Sequence, residues 1–245
     1  MRTDALLDRF LQELRPLAPV AVWAHGSLAG GDYQEGRSDL DLIAVLGRPV
    51  TARTAWRLGL LHARLGAEPL AEQLHCTYLS PDTVADSARR HLTWAHGRLF
   101  KRPVTEVTRR ELHGFGRVLH GRSPHSVLPP VSDTELAAFV VRDQRDFWRP
   151  AVRRDGLWRQ DVWVDLGLLT FARATVTLRD GDLISKRQAL TELRGLDAPD
   201  EVVADIEGRR YGNPVPPEAG WTARRSELTR SYLGPAIDTL VASYS

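Results

Sequence analysis

Two acidic residues stand at the start of an otherwise apolar segment, and they constrain the fold more than any other feature of the sequence. In the run SDLDLIAV, residues 38–45, the apolar stretch after Asp41 predicts a buried strand. Side chains two residues apart in a strand point to the same face, so Asp39 and Asp41 project together. Neighbouring carboxylates raise each other's pKa unless a positive charge is close. The alternative, an acidic pair on an exposed edge strand, is disfavoured by the buried run that follows.

A glycine-rich loop leads into this strand from a preceding one. Residues 20–26, VAVWAHG, predict a strand that ends at Gly26, and eleven residues separate Ser27 from Asp39. The Gly26–Ser27 turn offers backbone N–H groups and a hydroxyl, which are good phosphate ligands when a helix starts there. Mg²⁺ binds one or two carboxylates together with substrate phosphates. The two ends of the loop therefore predict one site, with phosphates at the turn and magnesium at Asp39 and Asp41.

Strands and helices alternate in the first half of the chain. Apolar residues at helical spacing make residues 1–17 an amphipathic helix and not a signal peptide. The further predicted elements are strands at 20–26, 39–46 and 73–80, helices at 51–65 and from Pro81 onward, and a short helix followed by a strand near 117–120. Such alternation is typical of an α/β domain.

The second half of the chain reads as helical throughout. Residues 121–133 contain three prolines and no helical pattern, which predicts a linker. The predicted helices run from a capping box of Ser132 and Glu135 to Trp148, and then over 158–178, 185–194, 200–209 and 227–244. The sequence thus predicts two domains, an α/β domain at 1–125 and an all-α domain at 132–245.

The Gly-Ser turn, the gap of eleven residues and the Asp-x-Asp strand resemble the nucleotidyltransferase superfamily of the DNA polymerase β type. The helical second domain and the segment LLTFARATVTLRDGDLISK, residues 168–186, narrow the resemblance to adenylyltransferases acting on streptomycin and spectinomycin. The resemblance implies a mixed sheet in the first domain and Mg²⁺-dependent transfer of AMP from ATP to a hydroxyl of a small acceptor, above all an aminoglycoside. The alternatives are another small molecule or a protein hydroxyl as acceptor, or a catalytically weak nucleotide-binding homologue.

The resemblance also implies which residues bind the nucleotide. Arg173 and, thirteen residues later, Lys186 match positions that contact the nucleotide phosphates in those enzymes. Lys186 is one of only two lysines in the chain, which makes its position at this spacing informative. Ser38, directly before the acidic pair, joins Gly26 and Ser27 in the expected nucleotide site.

The catalytic base is a point at which the sequence departs from the family. Related enzymes carry a glutamate on the third strand, and in the segment LHCTYL that position holds His75. A histidine can take up a proton near neutral pH, but it is a poorer Mg²⁺ ligand than a carboxylate. Glu72 and Glu68 lie just before the strand and are the alternative bases.

The acid that grips the aminoglycoside in the related enzymes is a second departure. Its position, counted from Arg173, holds Trp163, so Trp163 and the nearby Asp165 are the predicted substrate contacts. The segment 142–161 holds six arginines and four aspartates, whereas a cleft for a polycationic drug is expected to be acidic. This segment therefore gives no support for an aminoglycoside.

Bulk properties limit the other classes of function. A net charge of +2 gives no argument for nucleic-acid binding, and no apolar run approaches the roughly 20 residues that cross a bilayer. Cys76 is the only cysteine, which excludes an intramolecular disulfide. We therefore expect a cytoplasmic protein, a monomer or weak dimer, that acts on a small molecule and binds neither nucleic acid nor membrane.

Overall fold

The computed structural model describes residues 2–212 and 218–244 and divides the chain into two compact units, Met1–Val131 and Ser132–Ser245. The first unit is built on a mixed six-stranded sheet, and the described part of the second consists of helices. The predicted fold class, α/β followed by all-α, is therefore confirmed. None of the helices in the described ranges combines the length and the apolar character that crossing a lipid bilayer requires.

The sheet of the first unit places the predicted strands side by side. Its strands are β1 (Pro19–Ala24), β2 (Leu40–Leu46), β3 (Leu74–Leu79), β4 (Arg90–Ala95), β5 (Arg98–Pro103) and β6 (Arg117–Gly121). They follow the order β5-β4-β3-β2-β1-β6. Only β2 and β3 are parallel, and the other neighbours are antiparallel. The central position of β2 explains why its sequence is nearly continuous in apolar residues.

Four helices accompany the sheet, namely α1 (Arg2–Leu14), α2 (Gly26–Ala29), α3 (Ala52–Leu65) and α4 (Glu106–Phe115). Helices α1 and α3 bury their apolar stripes in a core that also contains Leu42 and Ala44 of β2. Helix α4 contributes Leu112 to a second core with Ile43 and Val45. Because alternate residues of β2 enter the two cores, these cores lie on opposite faces of the sheet. The predicted amphipathic helix at the N-terminus is confirmed.

The helix predicted from Pro81 is wrong, and local hydrogen bonds give the reason. Residues 81–85 form turns. The Asp86 carboxylate accepts the backbone N–H groups of Ala88 and Arg89, which offers the chain an alternative to helical bonding. The buried guanidinium of Arg109 donates to the carbonyl oxygens of Val84 and Asp86 and so holds this segment in its turns.

A hairpin that the sequence pattern did not predict follows these turns. Ala95 of β4 pairs with Arg98 of β5, so only His96 and Gly97 form the loop. Both loop residues have positive φ, +51° and +71°, as a two-residue turn that matches the strand twist requires. Strand β5 is mostly exposed or half-exposed at the sheet edge, which explains why its residues lack the apolar alternation of a core strand.

The described helices of the second unit are α5 (Asp133–Asp143), α6 (Arg149–Val152), α7 (Asp155–Trp158), α8 (Asp161–Asp180), α9 (Lys186–Gly195), α10 (Asp200–Tyr211) and α11 (Trp221–Tyr244). A π-helical turn, Gln144–Trp148, joins α5 to α6. The capping box of Ser132 with Glu135 is confirmed. Ser185 also caps α9 as predicted, because its hydroxyl accepts the N–H of Gln188.

A buried histidine makes the stability of the first unit depend on pH. Nε2 of His62 on α3 lies 2.6 Å from the Tyr78 hydroxyl, and the ring stacks on Trp94 at 4.4 Å. Burial lowers the pKa of His62 from 6.5 to about 3. The unfolded chain therefore binds a proton at His62 that the folded chain excludes, and this contribution to stability is lost as the pH falls from above 6.5 toward 3.

We expect His62 alone to lower the free energy of unfolding by about 2 kcal/mol between pH 7.5 and pH 5. Urea unfolding of the wild type and of His62→Gln at both pH values measures this, because the variant cannot titrate at this position. The difference in pH dependence between the two proteins isolates His62 from other groups. Equal pH dependence in both would contradict the assignment.

Candidate functional site

Three neighbouring strands bring polar side chains into one row at the end of the sheet. His75 of β3 pairs in register with Asp41 of β2. The backbone N–H of His25, the residue after β1, donates to the carbonyl oxygen of Asp41 at 3.0 Å. Asp39 lies two residues before Asp41 and therefore joins the same face. The structure thus brings together Asp39, Asp41 and His75, which the sequence singled out, and adds His25.

The His75 ring lies between the two carboxylates. Its Nδ1 is 3.8 Å from Oδ1 of Asp41 and its Nε2 is 3.9 Å from Oδ1 of Asp39. Both distances exceed a hydrogen bond but allow a strong electrostatic interaction. The His75 side chain is only 5% exposed, whereas that of Asp39 is 51% exposed. The ring also contacts the ring of His96 in the hairpin loop, with 4.6 Å between the two centroids.

The electrostatic surroundings keep the Asp41 carboxyl ionised. Burial acts to raise the pKa of Asp41, but the adjacent His75 ring outweighs it together with His25 and Arg102, so that the pKa falls from 3.8 to about 2. Asp41 is therefore anionic at any pH at which the protein works near neutrality. This is the state that a carboxylate needs to bind a cation.

The glycine turn comes into close contact with the acidic strand. Gly26 has φ +60°, and a Cβ at this position would lie 3.0 Å from Oδ2 of Asp41. Helix α2 begins at Gly26, with Ser27 half-buried in its first turn. The buried hydroxyl of Ser38 accepts the backbone N–H of Gln34, which fixes the loop just before Asp39. The two ends of the loop therefore meet, with a glycine where a side chain would crowd the carboxylate.

The close approach at Gly26 gives a prediction about stability. Gly26→Ala and Gly31→Ala both place a side chain at positive φ, +60° and +76°, but nothing lies within 4 Å of the added Cβ at Gly31. We expect Gly31→Ala to cost about 1 kcal/mol of unfolding free energy, and Gly26→Ala to cost about 1 kcal/mol more because the Asp41 carboxylate must move. Urea unfolding of the pair measures the difference, and equal losses would contradict the contact.

Glu72, the alternative base, lies away from this row. It occupies the exposed 3₁₀ turn Ala71–Gln73 directly before β3. The position that pairs with Asp41 belongs to His75, three residues later. The geometry of the sheet therefore favours His75 over Glu72 for any role beside the carboxylates.

The two predicted phosphate-binding cations lie near each other within the helical unit. Nε of Arg173 on α8 donates to the carbonyl oxygen of Ile184 at 2.9 Å. Lys186 follows two residues later as the first residue of α9. Both side chains are half-buried. The hydrogen bond from Nε thus ties the arginine to the loop that presents the lysine.

Trp163 of α8 belongs to an aromatic cluster. Its ring centroid lies 6.3 Å from that of Phe147, 6.1 Å from that of Trp148 and 6.5 Å from that of Trp158. Phe147 is 51% exposed, whereas Trp158 is fully buried. The cluster therefore extends from the core of the unit to its surface, with Trp163 between the two.

Asp165 is engaged in an ion network inside the helical unit. Its carboxylate lies 2.8 Å from the Arg209 guanidinium and 3.9 Å from that of Arg210. Burial raises the pKa of Asp165, although the two arginines act in the opposite direction. These partners give Asp165 a structural role whether or not it also contacts a substrate.

Sequence reasoning missed a buried pair beside the acidic row. Nδ1 of His25 lies 3.1 Å from Oε2 of Glu111 on α4, and the two side chains are 9% and 7% exposed. Eighty-six positions separate the two residues, so no local pattern reports their contact. The one available signal was a polar residue, His25, that ends the apolar run VAVWA.

The side chains at this site fit a hard cation that takes its other ligands from water and phosphate groups. Within residues 2–212 and 218–244, no group of three or more His, Cys, Asp or Glu side chains is arranged to hold a metal ion. Asp39 and Asp41 offer carboxylate oxygens, and Gly26 leaves the space beside Asp41 free of a side chain. Two carboxylates are the number that Mg²⁺ takes when water and phosphates supply the rest.

Comparisons with known proteins identify a known domain and a known fold. Residues 6–114 match the family model of the nucleotidyltransferase domain. The whole chain is similar in structure to spectinomycin adenyltransferase AAD(9) from Enterococcus faecialis, solved with ATP and spectinomycin, with a TM-score of 0.74 over 96% of this chain and 98% of that one. The sequence identity is 14%, so this likeness shows the fold. A comparison with curated proteins found no match in sequence.

Proposed function

Residues 6–114 match the nucleotidyltransferase domain model, and we propose on this basis that the chain is an enzyme of that class. Its proposed reaction is a Mg²⁺-dependent transfer of AMP from ATP to a hydroxyl of a small acceptor. An aminoglycoside is the acceptor that we favour. The observation that carries the proposal is the contact between the Gly26 turn and the Asp41 carboxylate, which joins an anion-binding turn to a cation-binding pair.

The proposed reaction needs few groups from the protein. The acceptor oxygen forms a bond to the α-phosphorus of ATP, and the bond from that phosphorus to the bridging oxygen of the β-phosphate breaks, releasing pyrophosphate. Bound by Asp39 and Asp41, magnesium would neutralise phosphate charge and stabilise the charge that develops in the transition state. The N–H groups and hydroxyl of Gly26 and Ser27 bind phosphate oxygens. His75 takes the proton of the acceptor hydroxyl.

The helical unit supports a nucleotide through Lys186 and Arg173. Helix α9 begins with Lys186 and Arg187, two cations at the end of a helix that favours anions. The Arg187 guanidinium lies 3.8 Å from the ring centroid of Tyr211. Lys186 opposes the helix dipole, and a phosphate group nearby would offset that cost.

We expect Lys186→Gln to weaken Mg·ATP binding about tenfold, the effect of losing one charge-assisted hydrogen bond. The other lysine of the chain supplies the control, since Lys101 is exposed on β5 of the first unit. Titration calorimetry with Mg·ATP measures both variants. Equal affinities of Lys186→Gln and Lys101→Gln would contradict a phosphate contact at Lys186.

The choice of an aminoglycoside rests on two supports. The similar solved structure is described with spectinomycin, and the aromatic cluster around Trp163 offers a partly exposed face for a sugar-like ring through Phe147. Asp161 and Asp165 flank Trp163 on α8, each two residues away, and the pairing of Asp165 with Arg209 reduces its value for binding a cationic drug. A different small molecule or a protein hydroxyl is the alternative acceptor.

A second candidate function is nucleotide binding with little or no transfer. The position of His75 favours it, because both ring nitrogens lie within 4 Å of carboxylates and Nε2 is buried. In that case Mg·ATP binds to the site, but no acceptor loses a proton.

The test is an assay of pyrophosphate release. The purified protein is incubated with Mg²⁺ and each common nucleoside triphosphate against a panel of aminoglycosides that includes spectinomycin and streptomycin. We expect release with at least one acceptor, which gains the mass of one nucleoside monophosphate. If no aminoglycoside of the panel gives pyrophosphate release, an antibiotic acceptor is excluded. If calorimetry still finds that Mg·ATP binds, the absence of pyrophosphate release would favour the second candidate.

A further inference from the structure

We infer that His25 is a ligand-binding residue of the nucleotide site, whose Nε2 forms a hydrogen bond with an oxygen atom of the bound Mg·nucleotide. The oxygen belongs either to a phosphate group, to which a doubly protonated ring donates its Nε2–H, or to a water molecule on the metal ion, whose O–H donates to Nε2 of the neutral ring. The inference rests on the proposed function and deepens it.

One nitrogen of the His25 ring already has a hydrogen-bond partner. Its Nδ1 lies 3.1 Å from the Glu111 carboxylate, in a pair whose side chains are both more than nine-tenths buried. An ionised carboxylate accepts and does not donate, so Nδ1 carries the proton of this bond. Helix α4 therefore fixes the orientation of the ring before any ligand binds.

The other nitrogen, Nε2 of His25, is buried without a hydrogen-bond partner among the described residues. A buried polar atom that makes no hydrogen bond is costly, typically about 1–3 kcal/mol. A purely structural histidine in this place would be expected to have both nitrogens satisfied. The missing partner points to a group that arrives with a ligand.

The position of the ring within the site supports the same inference. His25 directly precedes Gly26, and its backbone N–H donates to the carbonyl oxygen of Asp41. His25 is also among the groups that lower the pKa of Asp41, which places the two side chains within electrostatic reach. A ligand that touches both Gly26 and Asp41 therefore brings oxygen atoms to the neighbourhood of Nε2.

Two amide substitutions separate the two nitrogens of His25. In His25→Asn the amide NH₂ can occupy the place of Nδ1 and keep the bond to Glu111, but nothing replaces Nε2. In His25→Gln the longer side chain can place an amide atom near Nε2, but the bond to Glu111 is lost. Each variant thus removes one edge of the ring.

Titration calorimetry with Mg·ATP and thermal unfolding are measured on the full chain for both variants and the wild type. We expect His25→Asn to unfold near the wild-type temperature and to bind Mg·ATP about tenfold more weakly. We expect His25→Gln to unfold at a lower temperature, because Glu111 loses a donor, and to bind within about threefold of the wild type. Wild-type affinity in His25→Asn, or equal weakening in both variants, would overturn the inference.

Titration with ATP in the absence of Mg²⁺ identifies the oxygen. If His25→Asn still binds ATP more weakly than the wild type, Nε2 contacts a phosphate oxygen. If the difference appears only with Mg²⁺, the contact is a water molecule on the metal. Both results support the role of His25 and differ only in the source of the oxygen.

A spectroscopic measurement keeps the inference testable if either variant fails to fold. In ¹⁵N-histidine-labelled wild type, the Nε2 resonance of His25 is expected to shift when Mg·ATP is added, and the Nδ1 resonance is expected to change little. An unchanged Nε2 resonance in a protein that binds Mg·ATP would overturn the inference alone. Failure of the wild type to bind any nucleoside triphosphate would instead overturn the proposed function.

Discussion

Asp39→Asn and Asp41→Asn are each expected to lower the rate of AMP transfer about 1,000-fold or more, with the protein still folded. Each substitution keeps the shape of the side chain but removes one of the two charges that hold the magnesium ion. A loss of about 4 kcal/mol of transition-state stabilisation corresponds to this factor, and it is ordinary for a metal ligand at a phosphoryl centre. Pyrophosphate release under saturating ATP measures the rate.

Nucleotide binding gives an independent reading of the same variants. Calorimetry is expected to show that Mg·ATP binds much more weakly to both, whereas ATP without metal loses less. Asp8→Asn is the matched control, because Asp8 is an exposed acid on α1 of the same unit. If either site variant bound Mg·ATP and turned over like the control, the acidic pair would not be a metal site. Urea unfolding verifies that the loss does not come from the fold.

Local rules account for the positions of several of the residues that the sequence singled out. Alternation in β2 sends Asp39 and Asp41 to one face, and the parallel pairing of β2 with β3 brings His75 beside Asp41. The Gly-Ser dipeptide at a strand end predicted a turn, and the positive φ of Gly26 agrees with the need for glycine there. Short-range spacing was sufficient for Asp39, Asp41 and Gly26, whereas His75 was singled out through the resemblance.

The parts that the sequence did not predict depend on contacts between distant residues. Arg109 holds the segment after β3 in turns through bonds to Val84 and Asp86, and no pattern within residues 81–90 reports that arginine. The His25–Glu111 pair spans the sheet and α4 in the same way. Strand β5 escaped detection because an exposed edge strand needs no apolar alternation. In each case the deciding partner lies outside the window that a pattern can cover.

Replacing His75 separates the two candidate functions. If His75 accepts the proton of the acceptor, His75→Ala is expected to lower the rate of transfer about 100- to 1,000-fold while the affinity for Mg·ATP changes less than about threefold. His96→Ala is the control, because the His96 ring contacts the His75 ring, whereas His75 is the residue that lies beside the two carboxylates. A full loss in Glu72→Ala with an active His75→Ala would instead make Glu72 the base.

The substitution His75→Glu introduces the carboxylate that the resemblance implies at this position. For an active enzyme with a histidine base, His75→Glu is expected to keep part of the activity, and the acidic limb of its pH–rate profile is expected to move to lower pH, because a carboxylic acid is a stronger acid than an imidazolium. For a nucleotide-binding homologue that lost its base, the same variant is expected to transfer AMP faster than the wild type. A pH–rate profile of pyrophosphate release distinguishes these results, since the first keeps the wild type ahead at neutral pH and the second reverses the order.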